Sequence, residues 1–537
     1  MTLRFTVVSL LLIFSLCACS GNDEVASKGQ SRQVAKASQE IHLPGGDWGL
    51  PTPFAFYPRG PGYIHLSLVY DTLIWKDRNG TIPWLAERWE SSPDGLTWTF
   101  HLRPDVKWQD GQPLTSSDVC FTFGYLRQHP VEWFVLGRIA RVEAKDDRTV
   151  VFQLRSPYAP FLTRVAGSIP IIPEHIWKDI PDPRAASDLK VAMGSGPYRL
   201  LHYDKAQGAY AYEANPNFFL GMPQVQKIFF VPIGDSVAAL DRGLVDEANI
   251  PASLLSQFDN REDFAILSGP SYWVLTLRFN SDLLPFSKRE VRGAVAYAVD
   301  RKALIEQGVP GGLKGAKPGN PGFLPPDSDW FDPTVEDLYA HDVAKAVALL
   351  RSAGIEDRDG DGVCEGPDGT PMRFTLLTTA SYLREAELIR LMLGEIGIDA
   401  QPKVQDIKSM DALVREGNFS LALTGHGGLG ADPSIIMGFG AVEEDPHSLG
   451  APTDPAYLAA AQKLLEEFDP TARMSLCRTM QRLYSQELPA LPLYYPISFV
   501  AYRPKVFEGW FYTAQGGIGI GVPMLYNKLA FVKGACP

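Results

Sequence analysis

The stretch Arg278 to Arg301, RFNSDLLPFSKREVRGAVAYAVDR, decides the fold class of this 537-residue chain. It completes an apolar, aromatic run, YWVLTLRFN, that is typical of a buried strand. A turn containing Pro285 follows, and the residues beyond it repeat apolar side chains at helical spacing. The residues of that apolar face are Val291, Ala294, Val295, Ala298 and Val299. The stretch therefore predicts a strand, a turn and a helix that open a second lobe in mid-chain.

Downstream of this stretch, strand-like runs alternate with helical patterns. The strand-like runs are 373–378, 419–424 and 490–500, and the helical patterns are 342–354, 382–397, 458–468 and 472–487. Such alternation predicts an α/β lobe with parallel strand pairing.

Upstream, residues 85–125 predict a β-rich segment that leads into a helix. Residues 97–102 alternate polar and apolar side chains, which is the period of a half-buried strand. Ser116 or Ser117 is predicted to cap the helix that runs through Tyr125.

Three segments resemble bacterial extracellular solute-binding proteins of the peptide/nickel type, family 5. They are FN…PF…R-x-A-x-x-x-A-x-D-R in the opening stretch, LAERWESSPDG-TWTF-LRPDVKWQDGQPLTSSDVCFTF in residues 85–123, and GSGPY at 194–198. The resemblance covers nearly all of the mature chain. It implies an α/β, two-lobed periplasmic-binding-protein type II fold with a hinge, a ligand enclosed between the lobes, and an extra β-rich subdomain in the first lobe.

The resemblance also divides the chain. Residues 41–69, 193–275 and 498–537 are expected to form lobe 1, residues 70–192 its extra subdomain, and residues 276–497 lobe 2.

The N-terminus reads as an export signal. A basic residue, Arg4, precedes an apolar core of residues 5–16, which is shorter than the roughly 20 residues that span a bilayer. Residues 16–19, LCAC, match a bacterial lipobox and make Cys19 the predicted lipidation site of a signal peptide at 1–19. An ordinary cleaved signal peptide is the alternative. Residues 20–40 are polar and predict a flexible tether to the membrane.

Charge and motifs exclude several functions. The formal net charge of -12 argues against nucleic acid as a partner, because phosphate binding needs clustered Lys and Arg. The sequence lacks G-x-S-x-G, H-E-x-x-H and G-x-x-x-x-G-K-[ST], so an enzyme is not expected. Besides Cys19, four cysteines follow the signal, and their pairing stays open: Cys120, Cys364, Cys477 and Cys536.

An acidic loop at 357–368 has the spacing of an EF-hand-like calcium loop. The candidate ligands are Asp357, Asp359, Asp361, Val363 (through its carbonyl), Glu365 and Asp368. The twelfth position of the loop is Asp368, where a calcium loop usually has a bidentate Glu. Pro367 interrupts the end of the loop, and a strand follows it where an EF-hand has a helix. A structural calcium ion and a solvated acidic turn therefore both remain open, and no other cofactor is expected.

The loop Gly425 to Pro433 resembles the family loop that enters the cleft from the second lobe. Peptide-binding members typically place there an aspartate that pairs with the α-ammonium of the peptide, and the corresponding residue here is Leu429. A leucine cannot neutralise an ammonium group. Asp432 either contacts ligand or caps the next turn. The other candidate ligand-binding residues are Trp48, Tyr57, Arg59, Tyr63, Tyr272, Trp273, Tyr382, Arg384 and His426.

The resemblance, together with the lipobox, implies the monomeric capture lipoprotein of an ATP-driven importer. It would bind a peptide-like or other polar solute, a chelated metal being one alternative, and deliver it to a membrane permease with ATPase subunits. The absence of an anion at Leu429 predicts a solute without a free ammonium group. A chemosensory receptor of the same fold and a secreted hydrolase are the alternative functions.

Overall fold

The computed structural model describes residues 39–131, 134–270, 272–427, 429–430, 432–439, 454–513 and 527–532, with only the backbone of 437–439. Cys19 and the predicted signal peptide lie outside these ranges. Within them, no helix is both long enough and apolar enough to cross a bilayer.

The strands are β1 (Glu40–Pro44), β2 (Ile74–Lys76), β3 (Thr81–Pro83), β4 (Ala86–Ser91), β5 (Thr97–Leu102), β6 (Ile139–Asp146), β7 (Thr149–Leu154), β8 (Tyr198–Asp204), β9 (Ala209–Ala214), β10 (Lys227–Val231), β11 (Glu247–Asn249), β12 (Ala265–Gly269), β13 (Trp273–Phe279), β14 (Ala316–Pro318), β15 (Arg373–Thr378), β16 (Asp399–Val404), β17 (Leu421–Gly427), β18 (Ala490–Pro496) and β19 (Ser498–Tyr502).

The α-helices are α1 (Gly60–Val69), α2 (Ser116–Gln128), α3 (Glu174–Trp177), α4 (Ser236–Asp241), α5 (Leu255–Asp259), α6 (Arg289–Ala298), α7 (Arg301–Gly308), α8 (Val343–Ser352), α9 (Leu383–Gly394), α10 (Ile407–Arg415), α11 (Pro455–Glu466) and α12 (Pro470–Glu487).

The first lobe is built on small sheets. One has the order β1-β10-β9-β8 and another the order β11-β19-β12. An antiparallel sheet of order β4-β5-β7-β6 forms the β-rich part, which lies between β1 and β8 in sequence, and the β2-β3 hairpin precedes it. On β5, Trp98, Phe100 and Leu102 point into the core, as the alternating pattern predicts.

The second lobe is built on one six-stranded sheet of order β14-β18-β13-β17-β15-β16. Parallel pairing, which the alternation predicted for the lobe, holds only for β17-β15-β16. The other pairs are antiparallel. Of these, β13 and β18 run in opposite directions because β13 enters the lobe from the first lobe and β18 returns to it.

Two adjacent connections join the lobes. β12 ends in a first-lobe sheet at Gly269 and β13 starts in the second-lobe sheet at Trp273. In the return direction β18 leads directly into β19, whose first residue, Ser498, pairs with Gly269. A domain motion about such paired crossings needs few residues to change their backbone angles. This arrangement is the hinge of the two-lobed fold.

The stretch Arg278 to Arg301 forms the predicted strand and helix, but two of its arginines have a role that the spacing did not reveal. Arg292 is only 5% exposed and donates hydrogen bonds to the carbonyl oxygens of Phe286, Ser287 and Glu487. Arg301 is also buried, and binds the carbonyl oxygens of residues 319, 338 and 339. These guanidinium groups satisfy loop carbonyls that would otherwise be buried without donors.

The prediction for the cap of α2 is wrong by one residue. Thr115 is the N-cap: its Oγ1 accepts from the Ser117 N–H at 3.3 Å, and its own N–H donates to Asp118 Oδ2 at 2.9 Å. The acid at the third helical position completes this reciprocal capping box, which makes Thr115 the better cap than either serine.

Candidate functional site

The loop 45–59 of the first lobe presents two polar side chains to the second lobe. The Tyr57 N–H donates to the Trp48 carbonyl at 2.7 Å, and the rings of the two residues lie 6.3 Å apart. Tyr210 ties the loop to β9, because its hydroxyl accepts from the Trp48 N–H and donates to the Gly49 carbonyl. The loop is therefore fixed on its sheet, with Tyr57 and Arg59 at its end.

The facing element of the second lobe is α10. Asp406 caps its N-terminus by accepting from the N–H groups of Lys408 and Ser409, both at 3.0 Å. Lys408 and Asp411 are three residues apart, so they lie on one face of the helix.

Asp411 is the centre of the contact between the lobes. Its Oδ2 accepts from the Tyr57 hydroxyl at 2.6 Å and from Arg59 Nε at 3.0 Å, and its Oδ1 accepts from Arg59 Nη2. Burial raises the pKa of Tyr57 and the Asp411 carboxylate raises it further, so the phenol stays protonated and donates. Beside this contact, Lys408 Nζ lies 3.4 Å from Asp47 Oδ2 and 5.3 Å from the centroid of the Tyr57 ring.

An aromatic pair lines the second-lobe side next to this contact. Trp273 and Tyr382 are stacked, with ring centroids 6.1 Å apart. Trp273 lies directly over Gly425, where an added Cβ would be 1.7 Å from the indole ring, so only glycine fits. Burial raises the pKa of Tyr382 to about 12, while the positive charge of Arg59 acts in the opposite direction. Tyr382 thus lies within range of the charge of a first-lobe residue.

A buried carboxylate lies one turn beyond Tyr382. Glu385 is 5% exposed and accepts a hydrogen bond from the Tyr494 hydroxyl at 2.9 Å. Burial raises the pKa of Glu385. Its nearest polar partner is thus a phenol of its own lobe.

Two described residues of the loop after β17, Leu429 and Asp432, are buried, and Leu429 is bound to the hinge. The Leu429 N–H donates to the Tyr272 carbonyl at 3.2 Å, and the Leu429 side chain is 1% exposed. Asp432 accepts from Arg473 Nη2 through both oxygens at 3.0 Å and from the Ser434 N–H at 2.9 Å.

The remaining predicted site residues are spread over the two lobes. Tyr63 is buried at 3% exposure and Tyr272 at 8%. His426 is half-buried on β17 opposite Val274, and Arg384 is exposed at the start of α9. The structure therefore brings together Trp48, Tyr57, Arg59, Trp273 and Tyr382.

Sequence reasoning missed Asp411, Lys408 and Glu385. Each lies on an amphipathic helix, where an acidic or basic residue is most often solvated, so no local pattern distinguishes it. Only the approach of loop 45–59 to α10 gives Asp411 its partners.

The acidic loop is compact. One carboxylate oxygen from each of Asp357, Asp359, Asp361 and Glu365 lies within 4.8 Å of the others. Several of these oxygens already accept backbone N–H groups, and Arg373 Nη2 lies 2.8 Å from Asp361 Oδ2. Asp368 instead accepts hydrogen bonds from Thr370, and Val363 is half-buried. This geometry suits either a calcium ion or a hydrogen-bonded turn.

Residues 80–440 match the family model of bacterial extracellular solute-binding proteins, family 5, middle region. The chain belongs to this family. It is 30% identical over 412 residues to a putative ABC transporter peptide-binding protein of Brucella ovis, covering 73% of this chain and 74% of the relative. It is 26% identical over 461 residues to the nickel-binding periplasmic protein of Escherichia coli, covering 82% and 86%.

Among solved structures, NikZ from Campylobacter jejuni in complex with Ni(L-His) superposes with a TM-score of 0.76 at 25% identity, covering 90% of this chain and 98% of NikZ. The resemblance and the two-lobed fold predicted from sequence are thus confirmed. As a family 5 protein, the chain is an exported solute-binding protein and not an enzyme.

Proposed function

We propose that this family 5 protein captures a polar solute between its lobes and delivers it to the permease of an ABC-type importer, whose ATPase subunits drive uptake. The observation that carries the proposal is the polar contact between Arg59 of the first lobe and Asp411 of the second, which lies beside the stacked pair of Trp273 and Tyr382. The hinge connects the two lobes that make this contact. A cleft that combines aromatic walls with a few polar groups is typical of small-solute sites.

The same proposal includes a membrane anchor at Cys19. A lipidated cysteine and the tether 20–40 would keep a monomeric receptor near its permease. Cys19→Ala is expected to release the protein into the soluble fraction in its native host. Unchanged membrane association of this variant would refute the anchor but not the capture function.

The solute we propose lacks a free ammonium group. Three carboxylates near the lobe boundary already have partners in the protein: Asp411 binds Arg59 and Tyr57, Glu385 accepts from Tyr494, and Asp432 binds Arg473. Leu429 is buried and apolar. A blocked or modified peptide, an anionic conjugate or a chelated metal fits these surroundings, and the peptide- and nickel-binding relatives support that range.

Calorimetry tests this preference. Unmodified di- and tripeptides are expected to bind more weakly than the same peptides acetylated at the N-terminus, because a buried ammonium without a counter-ion is costly. Tight binding of the unmodified peptides, lost on acetylation, would show that one of the three carboxylates releases its partner and accepts an amine.

A further inference from the structure

The turn between α11 and α12 in the second lobe packs on the β-rich part of the first lobe. The Phe468 ring of this turn lies 6.4 Å from the ring of Trp98 on β5, which stacks in turn on Phe161 at 5.1 Å. Gly95 in the β4-β5 hairpin leaves room for Phe468, because a Cβ at Gly95 would lie 2.6 Å from the Phe468 ring. A side chain of one lobe therefore covers apolar surface of the other.

Polar contacts extend this packing. The Ala159 N–H donates to the Leu465 carbonyl at 2.7 Å. Leu465 lies in the last turn of α11, where carbonyl groups lack donors within the helix, so Ala159 supplies the missing partner. Arg138 Nη1 lies 3.9 Å from Glu466 Oε1, and the Arg138 guanidinium lies over the Tyr158 ring at 5.4 Å. We call the following residues the α11 contact: Gly95, Trp98, Arg138, Ala159, Leu465, Glu466 and Phe468.

The two sides of the α11 contact are held by different lobes. On one side, α12 leads into β18 of the six-stranded sheet, and the Ser485 carbonyl of α12 accepts from the Tyr339 hydroxyl at 3.1 Å. On the other side, Gln109 binds the β-rich part to the first lobe, since its side-chain amide donates to the carbonyl of Tyr198 on β8 at 2.8 Å. The hinge lies between these two bodies, so the α11 contact crosses from lobe to lobe.

We propose that the β-rich part of the first lobe is the docking face for α11 and α12 when the lobes close. The inference rests on the proposed capture function, and it gives this part of the fold a role in capture. The α11 contact forms and breaks together with the polar contact at Asp411, because both require the closed arrangement. A solute that binds this arrangement gains affinity from every contact that increases its population.

The chemistry of the two contacts differs. The Arg59–Asp411 pair is ionic and partly exposed, so added salt weakens it. The α11 contact buries Leu465 and Trp98, and burial of apolar surface does not depend on charge. Closure held by both contacts therefore persists at ionic strengths that weaken the ion pair alone.

Hydrogen exchange at the Ala159 amide tests the docking without knowledge of the solute, because this N–H is protected while it donates to Leu465. Phe468→Ala should raise the exchange rate at Ala159 by about three- to tenfold, since a ring that is 42% exposed is lost from the contact. Leu458→Ala, at an exposed leucine on α11, is the matched control and should leave the rate unchanged. Asp411→Asn, at the other contact, should raise the Ala159 rate by a similar factor. Chemical unfolding of each variant checks that the fold is retained.

Equal Ala159 rates in the wild type, Phe468→Ala and Asp411→Asn would overturn the proposal. A rise in Phe468→Ala without a rise in Asp411→Asn would also overturn it, because the α11 contact would then be independent of closure. Capture is tested separately, by calorimetry with solute extracted from the protein of the native host. If that solute binds Phe468→Ala as tightly as the wild type, docking does not assist closure and the proposal fails, but capture stands. The predicted exchange rates, without any retained solute, would support docking and refute capture.

Discussion

Arg59 of the first lobe and Asp411 of the second form a two-point ion pair, in which Arg59 Nε donates to Asp411 Oδ2 at 3.0 Å and Nη2 donates to Oδ1. The Tyr57 hydroxyl adds a third hydrogen bond to the same carboxylate. Because the partners belong to different lobes, these bonds form only when the lobes are close. The contact therefore stabilises the closed arrangement specifically.

Removing the Asp411 charge should shift the protein towards an open form. Asp411→Asn is expected to weaken solute binding by about three- to tenfold, because the pair is partly exposed and such pairs contribute little more than 1 kcal/mol. Small-angle X-ray scattering should show a larger radius of gyration for this variant. Glu306→Gln, an exposed acid on α7, serves as the matched control. Equal radii of gyration for Asp411→Asn and the control would contradict the role of the pair in closure.

Losing one bond of the three should have a smaller effect. Tyr57→Phe removes only the phenolic donor to Asp411 and keeps the ring beside Lys408. Solute affinity is expected to fall about two- to fivefold, because the contact is partly exposed to solvent and Arg59 keeps the Asp411 carboxylate paired. Isothermal titration calorimetry measures the change. A loss as large as that of Asp411→Asn would mean that the phenol, and not the guanidinium, dominates the contact.

The stacked rings of Trp273 and Tyr382 should contribute to solute affinity by packing against the solute. Tyr382→Ala is expected to weaken binding by tenfold or more, because truncation of a central aromatic side chain typically costs about 2 kcal/mol. Tyr382→Phe keeps the stack on Trp273 and should remain within a few-fold of the wild type. The comparison separates ring contact from hydrogen bonding. If Tyr382→Phe lost as much affinity as Tyr382→Ala, the hydroxyl would be the important group.

The buried ammonium of Lys76 predicts a pH-dependent stability. Its pKa is about 8 in the folded protein and near 10.4 in an unfolded chain, so the unfolded state binds more protons between these values. Stability from this group therefore rises as pH increases from 8 towards 10.

Chemical unfolding of the wild type and Lys76→Met, without carboxylate buffers, measures this effect. Lys76→Met should be more stable than the wild type near pH 7, and the difference should shrink towards pH 10. A difference that stays constant across the range would mean that the Lys76 ammonium is not buried uncompensated.

The two interpretations of the acidic loop differ in their response to calcium. A bound ion predicts that millimolar calcium raises the Tm and that Asp357→Asn with Asp359→Asn removes the rise. A solvated turn predicts no shift in either protein, because its carboxylates already accept backbone N–H groups and bind Arg373. Differential scanning calorimetry with and without a chelator distinguishes them.

The sequence predicts the strand and helix of residues 273–298 because apolar periodicity reports directly which face is buried. The sequence does not predict the hydrogen-bonding role of Arg292 or of Asp411. The partners of Arg292 include carbonyl groups up to 195 residues away, and those of Asp411 lie more than 350 residues away. Lys76 shows the same limit, since a lysine after two apolar strand residues gives no local sign of burial.

Mass spectrometry of the solute retained by the protein from its native host is the most direct test of solute capture. We expect a molecule without a free primary ammonium group, because the carboxylates of Asp411, Glu385 and Asp432 already have partners in the protein. An unmodified peptide held by its free N-terminus would contradict the account.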